Sequence, residues 1–343
     1  MALTRLEKLR NRRIDQNIKV AGLNEAYSHL PGEDSAVQYA IGAMQPIDPD
    51  YTRRTIEERD RVQKQLSDGF ALAGLKVSFD YQGSVTNDTH IRAHSDVDLL
   101  TVTEQFHAVE PPNVPTNRYS GDCVADLRKL RSAAASKLKI AYPKAKVDET
   151  GSKAINISGG SLLRKVDVIA SNWWHTVEYR RAPEKHWLGI EILDNVKGLR
   201  ISNKPFLHNK RIDDKDRVTN GGLRKCIRLL KSLKYDSEGG IELSSYDIAG
   251  LVYNIPDLVI YSYSGQDLLL VKNCHIFLHC WECNKEDREK LMVPNSTRKL
   301  FCPEGATENG LRQIRIALEI LIQEIEQGLN RSFRKLAEAR ITY

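Results

Sequence analysis

The stretch YQGSVTNDTHIRAHSDVDLLTV, residues 81–102, decides the reading of this chain. It overlaps KVSFDYQ (76–82), where Val77, Phe79 and Tyr81 alternate as in a strand. Gly83-Ser84 turns the chain. The short polar segment 84–91 then leads to SDVDLLTVT (95–103), a second expected strand. In a strand, residues i and i+2 share a face. Asp96 and Asp98 therefore project together, next to an apolar run (Val97, Leu99, Leu100) that anchors the strand in a core. Two carboxylates that close repel each other unless a cation sits between them. Oxygen ligands at this spacing suit Mg²⁺ or Mn²⁺, which bridge carboxylates to substrate phosphates.

A third acid lies in LRKVDVIAS (163–171), where Asp167 interrupts an otherwise buried strand among Val166, Val168 and Ile169. A lone aspartate there needs a partner. The economical expectation is that this strand lies beside the Asp96 strand and completes a metal-binding triad. Two ions ~3.5–4 Å apart would then stabilise the attacking and leaving oxygens of an in-line phosphoryl displacement. Asp167 is also a candidate general base toward a ribose hydroxyl. Gly83 would let a phosphate approach the backbone, and Ser84 would add a hydroxyl donor. Alone, Asp-x-Asp also describes a solvated strand end and Gly-Ser an ordinary turn. The ordered combination is what points to chemistry.

The flanking sequence frames this core. TRRTIEERDRVQKQLSDGFALAGL carries Val62, Leu66 and Phe70 at i, i+4 and i+8, one buried stripe of a long helix that Gly74 ends. Residues 122–142 read as a helix, and 145–149 and 153–158 as strands. After about residue 215 the character becomes helical. Residues 221–235 and 242–255 read as helices, the second with Leu243 or Ser244 near its cap. Leu311, Ile314, Leu318, Leu321, Ile325 and Leu329 mark one face of a last helix. The expected division is an N-terminal helical extension (1–45), a mixed-sheet core with a long bridging helix (46–215) and a helical domain (216–343). Residues 1–30 read as a basic helix broken by Pro31-Gly32, its charges most simply a solvated face.

At 343 residues, with 41% hydrophobic and 28% charged residues, the chain is globular rather than disordered. No apolar run approaches the ~18 residues of a membrane span, and MALTRLEKLRNRR has no apolar stretch behind it, so neither a membrane segment nor a signal peptide is expected and the default is cytoplasmic. The net charge of +6 suits an anionic ligand such as a nucleotide without arguing for a long nucleic acid. The six cysteines read as free thiols in a reducing compartment.

The pattern Gly-Ser, eleven intervening residues, Asp-Val-Asp and a later hydrophobic-Asp-hydrophobic resembles the polymerase-β nucleotidyltransferase superfamily. Within it the chain is similar to the bacterial cGAS/DncV-like nucleotidyltransferases. The likeness runs from about residue 50 to 330 and includes Ser202-Asn203-Lys204-Pro205, Arg228-Leu-Leu-Lys231 and Ser244-Ser245-Tyr246. It implies an α+β, bilobed enzyme with a C-terminal helical domain. Its implied reaction joins ATP, GTP or other NTPs into a cyclic di- or trinucleotide second messenger, with two Mg²⁺ or Mn²⁺ ions and pyrophosphate release. The implied setting is bacterial anti-phage signalling through a separate effector. By the same likeness Lys231 and Ser245 contact the donor triphosphate and Tyr246 stacks on a base. The carboxylates themselves leave two other readings open, template-independent RNA tailing and a nucleotide-binding module without catalysis.

Other clusters have rival readings. In helix 221–235, Arg224, Arg228 and Lys231 form a basic stripe, most often a solvated face. Ser245 also suits a helix cap, and Tyr246 a core aromatic. Trp173, Trp174, Tyr179 and Trp187 suit base stacking or, preferably, a core. Cys280-x-x-Cys283, with Cys274 and Cys302, has zinc-ligand spacing, although small buried thiols are the preferred reading. His90 and His94 read as polar loop residues rather than metal ligands.

Overall fold

The structure, a computed structural model, describes residues 3–14, 34–93 and 95–341, with side chains as far as residue 331. Most of the expected basic helix after Ile14, its Pro31-Gly32 break and His94 lie outside the described residues. In chain order the elements are α1 (Arg5–Arg13), α2 (Ser35–Met44), α3 (Pro49–Leu72), β1 (Val77–Gln82), β2 (Val97–Val109), α4 (Cys123–Ala141), β3 (Lys146–Asp148), β4 (Ala154–Gly159) and β5 (Leu162–His175). There follow α5 (Val177–Arg181), β6 (Leu188–Asp194), β7 (Leu199–Asn203), α6 (Pro205–Val218), α7 (Gly222–Asp236), α8 (Ser245–Tyr253), α9 (Asp267–Cys283), α10 (Lys285–Arg288) and α11 (Glu308–Ile341). No helix among the described residues is long and apolar enough to cross a membrane.

Two compact units result. One comprises Pro49–Asp88 and His94–Lys210, the other Met1–Asp48, Thr89–Ala93 and Arg211–Tyr343. The first helices thus group with the C-terminal ones, where the sequence reading set residues 1–45 apart. Apolar side chains on α1 and α2 explain this. Leu6 and Leu9 of α1, with Val37, Tyr39, Ala40 and Met44 of α2, are buried in the same core as α7, α8, α9 and α11.

The sheet unit holds a seven-stranded sheet of order β1-β2-β5-β4-β3, with β6 on β5 and β7 on β6. β5 is long enough to pair with β4 along its first half and β6 along its second. β2 and β5 are parallel, so a crossover must join them, and α4 lies in that crossover. α3 and α4 cover one face. Val62, Leu66 and Phe70 are buried there with Leu127, Leu130 and Leu138, against Val97, Leu99, Val166 and Val168. Gly74 ends α3's last turn at φ +66°, a conformation that favours glycine. The other face carries Leu100, Val102, Ile169, Ile190, Ile192 and Phe206. Strand alternation puts Asp98 and Asp167 on this second face.

In the helical unit, α7 is buried on nearly every side rather than along one stripe, and Arg228 and Lys231 are within it. The expected solvated basic face is therefore absent from this helix among the described residues. Arg224 is half-buried and pairs with Asp213 and Asp216. In α11, Leu311, Ile314, Leu318, Leu321 and Ile325 are buried as the periodicity predicts, while Leu329 is exposed.

The basic residues of α1 are likewise not a solvated face. Arg12 is buried and donates from Nη1 to both oxygens of Asp236, at 2.5 and 2.7 Å, and Tyr39 donates to the same carboxylate at 2.7 Å. Arg13 donates to the carbonyls of Gln45 and Pro46. Buried cations require such partners, because an unpaired one would cost several kcal/mol.

Candidate active site

Strand register assembles the site. Asp98 of β2 lies opposite Asp167 of β5 in the parallel ladder. On their outer flanks Gln82 of β1 pairs with Asp98, and Asn156 of β4 pairs with Asp167. The result is a polar row across four adjacent strands. Asp96 precedes β2 with the parity of Asp98. The structure thus brings the three acids together, as the burial of an aspartate in an apolar strand requires.

Two residues that the sequence reading passed over complete this row. Lys165 stands two positions before Asp167 and shares its face. Its ammonium lies 3.3 Å from Asp96 Oδ2 and 3.2 Å from Asp167 Oδ1. Asn156 Nδ2 donates to Asp167 Oδ1 at 2.6 Å. The i, i+2 spacing of Lys165 and Asp167 was a usable signal. Asn156 gave none, because only strand pairing brings it there.

Asp98 is the acid with least compensation. Among the described residues its carboxylate has no hydrogen bond or ion pair. Burial, then the charges of Asp167 and Asp96, push its pKa up to about 7. Burial also raises that of Asp167, against the opposing pull of Lys165 and Asn156. Burial works against the charge on Lys165, yet the two aspartates raise its pKa. Beside Asp98, Gln82 Oε1 is buried without a hydrogen-bond partner.

This donor set fits a hard divalent cation. It offers three carboxylates and an amide oxygen on one face, with less positive charge nearby than the acids need. Among the described residues, no group of three or more His, Cys, Asp or Glu side chains is poised around an ion as it stands. The cation between Asp96 and Asp167 is instead the Lys165 ammonium.

Gly83 follows β1 with φ +94°, where a side chain is strained. A Cβ built there would lie 2.1 Å from Asp98 Oδ2, so the carboxylate packs directly on the glycine. Ser84 is half-buried in the turn that follows and, among the described residues, has no hydrogen-bonding partner.

Lys231, Ser245 and Tyr246 belong to the helical unit. Lys231 is buried, and its ammonium donates to the Thr89 carbonyl at 2.5 Å. Burial, then Arg92 and Arg228, bring its pKa down to about 8. In this structure the ammonium is therefore held by a backbone carbonyl of its own unit. Ser244, not Ser245, caps α8, in a reciprocal box with Asp247. Ser245 is exposed at the first helical position. Tyr246 packs against the helical core, donates to Asn295 Oδ1 at 2.8 Å, and lies under the Arg298 guanidinium at 5.5 Å.

The remaining clusters resolve individually. Trp173, Trp174, Tyr179 and Trp187 are all half-buried. Trp173 packs toward Phe206, and Lys204 lies over Trp174. Cys274 is buried on α9, and its hydrogen bond, with burial, drives the Cys226 thiol well up in pKa. Cys280 and Cys283 are exposed on the same helix, and Cys302 contacts Arg298. His90 lies in a loop, as expected, and is buried there, since segment 89–93 groups with the helical unit.

The chain is 41% identical over 297 residues to the cyclic dinucleotide synthase CdnE of Yersinia aleksiciae, covering 84% of this chain and 77% of that protein. The chain belongs to the cGAS/DncV-like nucleotidyltransferases. It is therefore a nucleotidyltransferase. The family model for the cGAS/DncV-like nucleotidyltransferase C-terminal helical domain matches residues 210–322. A c-di-GMP synthase of a Lachnospiraceae bacterium (strain RUG226) is 30% identical over 298 residues, covering 76% of this chain and 81% of that one. Among solved structures, the STING-associated CdnE c-di-GMP synthase of Capnocytophaga granulosa superposes with a TM-score of 0.75 at 26% identity, over 95% of this chain and 98% of that chain. The α+β core with a helical C-terminal domain agrees with the expected fold class.

Proposed function

We propose that this cGAS/DncV-like nucleotidyltransferase uses divalent metal ions to join nucleoside triphosphates into a cyclic dinucleotide signal. The observation that carries this reading is the in-register pairing of Asp98 with Asp167, with Asp96 on the same face. The names of the Yersinia and Lachnospiraceae relatives support a cyclic dinucleotide product and make GTP the first substrate to try.

Asp96, Asp98 and Asp167 would hold two Mg²⁺ or Mn²⁺ ions. When bound, such ions supply positive charge to the phosphoryl oxygens. In each round, a 2′- or 3′-hydroxyl oxygen of the acceptor bonds to the α-phosphorus of the donor. The bond to the β-phosphate bridge breaks, and pyrophosphate leaves with the electron pair. Asp167, on the same face as the other two acids, accepts the hydroxyl proton. A second round of the same chemistry closes the ring. Gly83 keeps the space beside Asp98 free of a side chain, and Ser84 offers a hydroxyl to the donor phosphates. Ser245 and Tyr246 are proposed to meet the donor phosphate and a base. Lys231 would have to leave the Thr89 carbonyl to join them. A diffusible product calls for a separate effector, in keeping with anti-phage signalling.

The test is mass spectrometry of products from all four NTPs with Mg²⁺ or Mn²⁺, with and without RNA. A cyclic dinucleotide formed without RNA is expected. Extended RNA with no short product would refute the reading.

A further inference from the structure

We propose that Lys165 is a positioning residue that holds Asp96 and Asp167 together before the divalent ion binds and competes with that ion for their oxygens. This rests on the metal-dependent reading of the same site.

The argument is one of charge and reach. Three carboxylates face one side of neighbouring strands, and the Lys165 ammonium meets two of them, at 3.3 and 3.2 Å. Three acids share a single ammonium, so the cluster has fewer cations than carboxylates. Asn156 fixes Asp167 from the β4 side through the oxygen that also receives Lys165. Asp98 is left without an ion pair among the described residues. The ammonium therefore solves a folding problem, since repelling acids on adjacent strands need a counter-charge to stay paired.

The same ammonium obstructs an ion. A divalent cation bound to Asp96 and Asp167 would sit within a few ångströms of it, and the two would repel. Lys165 can yield, because its side chain is 36% exposed and ends a flexible four-carbon stem. Arginine would hold the carboxylates more persistently through its planar fork.

Metal-free full-length protein tests this. Two readouts are needed, thermal unfolding in EDTA and Mn²⁺ affinity by calorimetric titration. Lys165→Met is expected to lower the melting temperature in EDTA yet tighten Mn²⁺ binding about three- to tenfold, since two partly exposed ion pairs no longer compete. Lys165→Arg is expected to bind Mn²⁺ no more tightly than the wild type. A merely structural lysine would give a lower melting temperature with unchanged or weaker Mn²⁺ binding, and that result overturns the proposal. If the Met variant fails to fold, Lys165→Gln carries the same expectation. Asp98→Asn separates the two levels of inference. Loss of Mn²⁺ binding there, with no tightening in Lys165→Met, removes only the role of Lys165. Undiminished Mn²⁺ binding in Asp98→Asn removes the metal site itself, and the proposal with it.

Discussion

The acid cluster of the sheet unit and the buried cations of the helical unit are compensated differently. In the sheet unit, two carboxylates meet one lysine, and the carboxylate of Asp98 is left with neither a hydrogen bond nor an ion pair among the described residues. In the helical unit, three buried cations have acceptors. Arg12 meets both oxygens of Asp236, Arg228 donates to the Met44 carbonyl, and Lys231 to that of Thr89. A satisfied buried charge holds a fold together. An undercompensated one costs stability, and persists where a ligand can complete it. The contrast is between acids short of counter-charge and cations that already have partners.

The sharpest way to break this contrast is Asp98→Asn. Pyrophosphate release should fall by at least roughly a thousandfold, as when one member of a catalytic set is removed. Thermal unfolding without metal should stay level or move upward, because a repelled carboxylate becomes neutral. A large drop in melting temperature would show that Asp98 is structural after all.

Arg12→Met probes the opposite case. It leaves the Asp236 carboxylate buried without its cation, which should cost about 3–5 kcal/mol in urea unfolding. The half-exposed Arg5–Glu324 pair should matter far less, with Arg5→Ala costing at most about 1 kcal/mol. Equal effects for the two arginines would dissolve the distinction between buried and rim charges.

Lys231→Met sharpens the comparison through pH. The folded-state pKa of Lys231 is brought down to about 8, below its unfolded value. Between pH 8 and about 10 the unfolded chain then binds the extra proton, so the wild type should gain stability on the variant as pH rises. The gain should be on the order of 2 kcal/mol, read from denaturation midpoints at the two pH values. A variant that instead raises the KM for NTP tenfold, with no alkaline difference, would place the ammonium on substrate.

Gly83→Ala is expected to have a modest effect on stability. The positive φ alone should cost about 1 kcal/mol. The added methyl also meets Asp98 Oδ2, so nucleotidyl transfer should fall roughly tenfold or more if a small misplacement of a reacting group is costly. Unchanged turnover would show that the glycine serves only the turn.

Much of the sheet unit was legible because strand periodicity and buried acids are local signals. Val77, Phe79 and Tyr81 announced β1, and Asp167 among valines announced a partner. β6, β7 and α2 were passed over, since LGIEILD, LRISN and SAVQYAIGAM are short and carry neither a strict alternation nor a clear helical stripe. The helical unit misled in its charges as well as in α2 and α9, which were not read as helices. Arginines on α1 and α7 have the spacing of a solvated face, and nothing nearby in sequence names Asp236 or the Met44 carbonyl as their partners.

The sequence by itself determined that two carboxylates share a strand face, that a third must find a partner, and that Gly83 turns the chain beside them. These follow from dihedral sterics and the two-residue period of a strand. Tertiary structure alone decided that Asp167 sits level with Asp98, that Asn156 and Lys165 are their neighbours, and that Lys231 is enclosed. Register and burial are set by contacts between residues distant in the chain, and no local pattern encodes them.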